Sequence, residues 1–244
     1  MGVPITRDAR TTKLMKKTNK NLKKKIKACD FDKTKLYPIA EAIELAKKNS
    51  KVNFDASVEA HFRLGIDTKK GEQQVRAAVA LPHGTGKTVK VAAFVTQEKE
   101  KEVKEAGADF IGGDELIAQI KKTEKTDFQV AIAEPALMKN LAQIAKILGT
   151  RGLMPSPKND TVTTDPAKAV RELKKGKISF KNDDTGNIHV SIGKASFAAE
   201  KLIENFKTVS DAIKKNKPSS SKGIYLKNIS LNTTMGPGIK VIIS

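Results

Sequence analysis

The chain of 244 residues has a single cysteine, Cys29. One thiol excludes an internal disulfide and a metal centre built mainly of thiolates, and it fits a reducing, intracellular setting. Tryptophan is absent and tyrosine occurs twice. A surface that stacks single-stranded bases on several rings is therefore disfavoured against one that grips backbone and shape. No apolar run approaches the ~18 residues of a membrane span. The first residues carry charge but no apolar stretch of a secretory signal. Gly2 and Thr6 fit a myristoylation pattern, too short to carry weight alone. Acidic residues are the remaining shortage: 27 Asp and Glu face 46 Lys and Arg, a net charge of +19. Such a balance points to a polyanionic partner, nucleic acid ahead of an anionic membrane surface.

What is present is ordinary for a globular protein with one or two domains: 39 % hydrophobic and 30 % charged residues. The charge is unevenly spread. Met1 to Lys27 hold ten basic residues and one acidic residue, Asp8, a run expected to be a flexible tail over residues 1–30 that orders on a polyanion. Gly84 to Gly176 hold 16 basic and 13 acidic residues, whereas the flanking pieces together hold 30 and 14. A basic domain built from both ends, 1–83 plus 177–244, with a nearly neutral domain inserted at 84–176, explains this distribution. Pro82-His83-Gly84 and Lys175-Gly176-Lys177 would be the two crossings.

Hydrophobic periodicity supports two units. In the flanks, Ile39, Ala42, Ile43 and Ala46 follow helical spacing after Pro38. Val58, Ala60, Phe62 and Leu64 alternate with Ser57, Glu59, His61 and Arg63, the pattern of a strand buried on one face. "KISFKNDDTGNIHVSIG" reads as a hairpin turning at Asp184, Gly186 and Asn187. Leu202, Phe206, Val209 and Ile213 form one helical stripe, and two last strands flank the Gly-Pro-Gly of residues 236–238. The middle alternates strand and helix: "TVKVAAFVT", a helix, "ADFIGG", a helix that Asp114 would cap, "FQVAIA", helical "PALMKNLAQIAKIL", and a last helix "PAKAVRELKKG". That order predicts βαβ units on a parallel sheet.

Few motifs carry chemistry. Thr85-Gly86-Lys87-Thr88 looks like the end of a phosphate-binding loop, but the pattern needs glycine at the position of Leu81, and a strand follows where a helix should open. A glycine-rich hinge fits better. Gly107, Gly112 and Gly113 do not make a dinucleotide fingerprint. His61, His83 and His189 show no metal-ligand spacing, and no G-x-S-x-G elbow occurs. No enzyme, cofactor or metal is expected. "NTTMGPG" allows two readings. One is an RNA contact made by Thr233 and Thr234 hydroxyls, the Met235 arm and the open backbone of Gly236. The other is a plain hairpin turn.

Taken together, "VEAHFRLGID", "VALPHGTGK", "EAGADFIGG", "ILGTRGLMPSPK", "GKISFKNDDTGNIHVSIGKASF" and "TTMGPGIKV" resemble, in this order, the L-one family of large-subunit ribosomal proteins, in its bacterial form. The likeness runs from about Tyr37 to Ile242. It implies two α/β domains: a split α+β sandwich formed by both termini, and an inserted Rossmann-like three-layer α/β domain that binds no dinucleotide. It implies binding to the L-one stalk of large-subunit rRNA, help in releasing deacylated tRNA from the exit site, and repression of its own operon mRNA. It further implies a cytoplasmic, ribosome-associated protein, monomeric when free and without a membrane partner. The family's RNA contacts fall here on Phe54, Ser57, Glu59, Thr234, Met235 and Gly236, which turns "NTTMGPG" toward the RNA reading. Asn53 stands where many relatives have Lys, Ser57 where they have Thr, and Thr150 and Ser156 depart from "LGPRGLLPNPK". The basic N-terminal run is longer than bacterial members lead one to expect, and it would add electrostatic grip.

Overall fold

The computed structural model describes residues 31–221 and 223–242. The basic run at 1–30, with its tail and myristoylation readings, lies outside them.

Strand β1 (Ser57–Leu64) is central to a four-stranded antiparallel sheet. Its neighbours are β7 (Asn187–Lys194) on one side and β8 (Leu226–Thr233) on the other, with β9 (Ile239–Val241) beyond β8. The alternation of β1 is realised: Val58, Ala60 and Phe62 are fully buried, while Arg63 is exposed. Helices α1 (Ile39–Lys48) and, late in the chain, Ala199–Lys215 cover the apolar face. Ala42, Ile43 and Ala46 of the first, with Leu202, Phe206, Val209 and Ile213 of the second, complete one core. Phe62 stacks on Phe206 at 5.7 Å within it.

A second sheet has three parallel strands, with β3 (Val91–Phe94) between β4 (Phe110–Gly112) and β5 (Val130–Ala133). Period-two alternation splits β3 between two cores. Ala92 and Phe94 join α3 (Asp114–Thr123) and the helical stretch 138–150, whereas Val91 and Ala93 join α2 (Glu100–Glu105) and the helix Pro166–Lys175. That is a sheet with helices on both faces, the three-layer arrangement expected of a buried parallel sheet. These two cores draw their fully buried residues from positions 91–170, and the first core draws its own from 42–81 and 180–241.

A two-stranded ribbon, β2 (Arg76–Ala80) against β6 (Lys177–Lys181), links the two regions. At its end Gly84 and Gly176 meet, with φ of +63° and +107°. A Cβ on Gly176 would stand 2.4 Å from the Gly84 Cα and has no room, while one on Gly84 would be strained by its positive φ and crowd the Lys175 carbonyl at 3.2 Å. Asn205, fully buried on the long helix α7 (Ala199–Lys215), fastens this crossing. Its Oδ1 accepts from the His83 N–H at 3.2 Å, and its Nδ2 donates to the Gly84 and Ile192 carbonyls.

Three local expectations are corrected. Residues 177–194 do not form a simple hairpin: β6 pairs with β2 and β7 with β1, and the two share only the bridge Asn182–Ile188. Asp183 builds the turn between them by accepting from the Thr185 and Asn187 backbone, so the turn signal is real although the strands part. Asp114 is the first residue of its helix rather than the cap, which is Gly113, and Asp114 Oδ1 accepts from Asn140 instead. The stretch 135–150 is not one helix: a 3₁₀ turn (Pro135–Leu137) leads into α4 (Met138–Leu141), and a second (Ala142–Ile144) separates it from α5 (Ala145–Thr150).

Candidate nucleic-acid interface

The six candidate residues come from two segments that local sequence does not connect. The antiparallel register sets Val58 beside Thr233, which brings the start of β1 to the end of β8. Thr234 closes the junction. Its Oγ1 accepts from the Ser57 N–H at 3.1 Å, its own N–H donates to the Ser57 carbonyl at 2.9 Å, and its hydroxyl also reaches that carbonyl. Thr234 and Ser57 thus face each other across 177 positions of sequence. Much of what the Thr234 hydroxyl can do is spent on this clamp, and Ser57 is itself buried. These two residues shape the site more than they project from it.

Projection falls to Phe54 and Met235. They are 55 % and 70 % exposed, among the few large apolar side chains left in solvent. Single exposed apolar side chains are common, and Leu36 and Ile224 are as open; these two differ in belonging to the two segments that the Thr234–Ser57 clamp joins. Phe54 is held by its successor. Asp55 accepts from the Ser196 N–H and hydroxyl, its carbonyl accepts from Lys194 Nζ, and Ala56 accepts from Ala195 N–H. Met235 sits in a turn closed by a 2.7 Å bond from the Gly236 N–H to the Thr233 carbonyl. Its φ is +65°, in the left-handed region that this turn position normally gives to glycine or asparagine. A bulky residue kept at that angle stores strain, and such strain concentrates at functional sites. Gly236 is fixed by space: a Cβ there would lie 2.2 Å from Thr233 Oγ1, an atom fully buried and without a hydrogen-bond partner.

Glu59 opens the polar face of the sheet behind these anchors. In register it lies between Ser191 and Asn232, His61 lies between His189 and Ser230, and Arg63 lies between Asn187 and Asn228. The sequence names His61, His189 and Asn187 for other reasons, and it does not mark Ser191, Asn228, Ser230 or Asn232 at all. The period-two alternation of β1 signals that this face is polar, but which residues of β7 and β8 share it is set by register. This face offers hydrogen-bond donors and acceptors suited to 2′-hydroxyls and phosphates, with hardly any rings to stack.

The alternative chemistries lose ground on their geometry. Gly86 has a φ of +69° and would press any side chain on Phe197 and Lys194, and Thr88 leads into β3, not a helix. At the carboxyl ends of the parallel strands lies a cleft of about 750 Å³ edged by Glu98, Glu100, Asp114 and Glu115. This is where a dinucleotide would sit in an open α/β sheet, and four carboxylates there oppose a pyrophosphate. Beside it Lys99 pairs with Glu134 at 2.9 Å, and that lysine holds the Glu134 carboxyl below its ordinary range. Among the described residues no helix is long and apolar enough to cross a membrane.

Comparison with known proteins identifies the family. Residues 46–237 match the family described as "Ribosomal protein L1p/L10e family". The chain is 52 % identical over 210 residues to the large ribosomal subunit protein uL1 of Macrococcus caseolyticus, covering 86 % of this chain and 90 % of the relative. It is 54 % identical over 213 residues to that of Mesoplasma florum, covering 87 % and 93 %. It is 53 % identical to that of Mycoplasma capricolum, covering 86 % and 92 %. The chain belongs to the ribosomal protein L1p/L10e family, as a structural protein and not an enzyme.

Proposed function

We propose that this structural constituent of the large ribosomal subunit, cytoplasmic and ribosome-associated, holds the L-one stalk of large-subunit rRNA at the junction of β1 and β8. The observation that carries the reading is the Thr234–Ser57 clamp, which joins two distant segments into one rigid rim with Phe54 and Met235 exposed upon it. Phe54 and Met235 insert against sugars and bases, Gly236 admits the backbone closely, and Glu59 accepts from hydroxyl or amino groups. The stretches 1–83 and 177–244 form the RNA-binding domain, and 84–176 is the inserted one. Segregation of the apolar cores supports that partition.

Two further roles fit the same reading. The exit-site tRNA would meet a separate, cationic feature, the ribbon where Arg76 and Lys181 are register partners. With Ser156, Asn159 and Ser179 they line a cleft of about 620 Å³ whose edge includes no carboxylate. Repression of the operon mRNA would use the stalk site on a second RNA of similar shape.

The test is a gel shift with the stalk fragment, competed by an unrelated structured RNA of equal length, at two salt concentrations. Selective binding that persists at the higher salt is expected. Equal competition, with binding lost at the higher salt, would reduce the interaction to net charge and remove the stalk assignment.

A further inference from the structure

The chain has five methionines, Met1, Met15, Met138, Met154 and Met235. Those among the described residues differ in access. Met138 and Met154 are partly buried and pack against the core on one face of the parallel sheet. Met235 is 70 % exposed, on the turn closed by the Gly236 N–H donating to the Thr233 carbonyl. Backbone, not side-chain packing, fixes it there. Thr234 is bound to Ser57 on one side, and Gly236 has no room for a Cβ on the other. The thioether is therefore presented to solvent on a rigid support. A thioether is apolar and soft, and loss of two electrons from its sulfur turns it into a polar, chiral sulfoxide.

We propose that Met235 is a site of reversible oxidation by hydrogen peroxide, and that its sulfoxide form weakens RNA binding by the free protein. The inference rests on the reading that this arm enters the RNA interface. In the forward step a sulfur lone pair attacks one peroxide oxygen and the O–O bond breaks. The S–O bond forms, and the proton of the transferred oxygen joins the departing hydroxide as water. In the reverse step a sulfoxide reductase releases that oxygen as water while two thiols become a disulfide. Selectivity follows from access, since peroxide must reach the sulfur. The effect on binding follows from burial. An arm packed against sugars and bases contributes by removing apolar surface from water. A sulfoxide oxygen is a hydrogen-bond acceptor that would have to be stripped of water in the same place. Oxidation leaves the backbone bonds of the turn in place, so the fold keeps its stability. Bound RNA covers the arm, so the modification acts on protein not yet assembled.

The experiment treats the full-length, RNA-free protein with graded hydrogen peroxide, with Cys29→Ser in every sample to keep the thiol out of the reaction. Peptide mass mapping should find added oxygen on Met235 before Met138 or Met154. Fluorescence anisotropy should show affinity for the stalk fragment falling at least about fivefold as Met235 is consumed. The urea midpoint should not move, and reductases for both sulfoxide epimers should restore binding. In Met235→Leu the affinity, whatever its starting value, should not change on treatment, which excludes Met1 and Met15 as the cause. Full oxidation of Met235 without loss of affinity, an equal loss in treated Met235→Leu, a fall in the urea midpoint, or first oxidation at Met138 or Met154 overturns the proposal. Untreated Met235→Ala separates the two ideas. Weakened binding there, beside unaffected binding of the oxidised protein, refutes the modification and keeps the interface; wild-type binding in both refutes the interface as well. Should Met235→Leu fail to fold, protection decides: saturating stalk fragment should slow oxidation of Met235 and not of Met138 or Met154, and equal rates with and without RNA refute the proposal.

Discussion

Replacing Met235 with glycine should separate two roles that most substitutions confound. At a φ of +65° the methionine backbone is strained, and an L-residue held in that region costs roughly 1–2 kcal/mol. Glycine relieves the strain but adds freedom to the unfolded chain, which costs about 0.4–1 kcal/mol. Stability should therefore stay level or rise by up to about 1.5 kcal/mol. The side chain is 70 % exposed, so the free fold loses little packing with it. RNA binding should move the other way. Full burial of a methionine contributes about 1.5–3 kcal/mol, and the share still exposed here leaves about 1–2 kcal/mol for a partner to gain. That is about a 5- to 30-fold loss of affinity for the stalk fragment. Met235→Ala should lose the same affinity without the gain in stability, and it should cost more binding than removing any single lysine of residues 1–27. Fluorescence anisotropy and urea unfolding measure the two quantities. Affinities within about twofold of wild type for both variants would show that the arm is not in the interface. Loss of stability in Met235→Gly would show that the turn is not strained.

Other perturbations probe the frame. Asn205→Ala leaves the His83 N–H and the Gly84 and Ile192 carbonyls without their partner, and urea unfolding should register about 3 kcal/mol of destabilisation. Replacing residues 85–175 by a short glycine-serine linker between Gly84 and Gly176 should keep cooperative unfolding and affinity for the stalk fragment, since those two backbones already meet; a collapse of either property would refute the domain partition. The backbone N–H of Asn187 holds the Asp183 carboxyl far below its ordinary range, helped by Thr185. A depressed carboxyl stabilises the fold above its unfolded value of about 4 and loses that contribution as pH falls toward the folded value. Asp183→Asn should thus be less stable than wild type at pH 7, and the gap should narrow below about pH 4 in thermal melts.

Much of this fold is legible in the sequence because burial imposes a period. The alternation of Val58, Ala60, Phe62 and Leu64 marks β1, and the stripe of Leu202, Phe206, Val209 and Ile213 marks the long helix, since each element buries one face only. Charge asymmetry is the sequence observation from which the proposed partition starts. Long-range pairing is where legibility ends. Nothing local to Ser57 or Thr234 says that they meet, and nothing near His61 names His189, because register is decided by a whole sheet finding its partners. The turn at 183–187 misleads for a related reason: turn chemistry is local, while the choice of sheet for β6 and β7 is not. The break within 135–150 has no glycine or proline at the joint between Leu141 and Ala145 to announce it.

The site and the charge do different work. The open sheet face and its rim carry Arg63, Lys194 and Lys240 against Glu59 and Asp55, and the other members are amides, hydroxyls and imidazoles, so the candidate interface has a small charge beside the excess of the whole chain. The excess of cations sits in the rest of the flanking segments. Long-range attraction to phosphate weakens steeply with salt and is blind to sequence and shape, and it acts alike on the stalk and on any competitor. In the proposed interface the neutral rim of Phe54, Met235 and Gly236 would act only at contact, and counterions do not screen a packed side chain. Raising the salt should therefore lower affinity for every RNA by a similar factor while the preference for the stalk fragment persists. A preference that vanished with salt would place recognition in the cations and leave the strained turn at Met235 without a purpose.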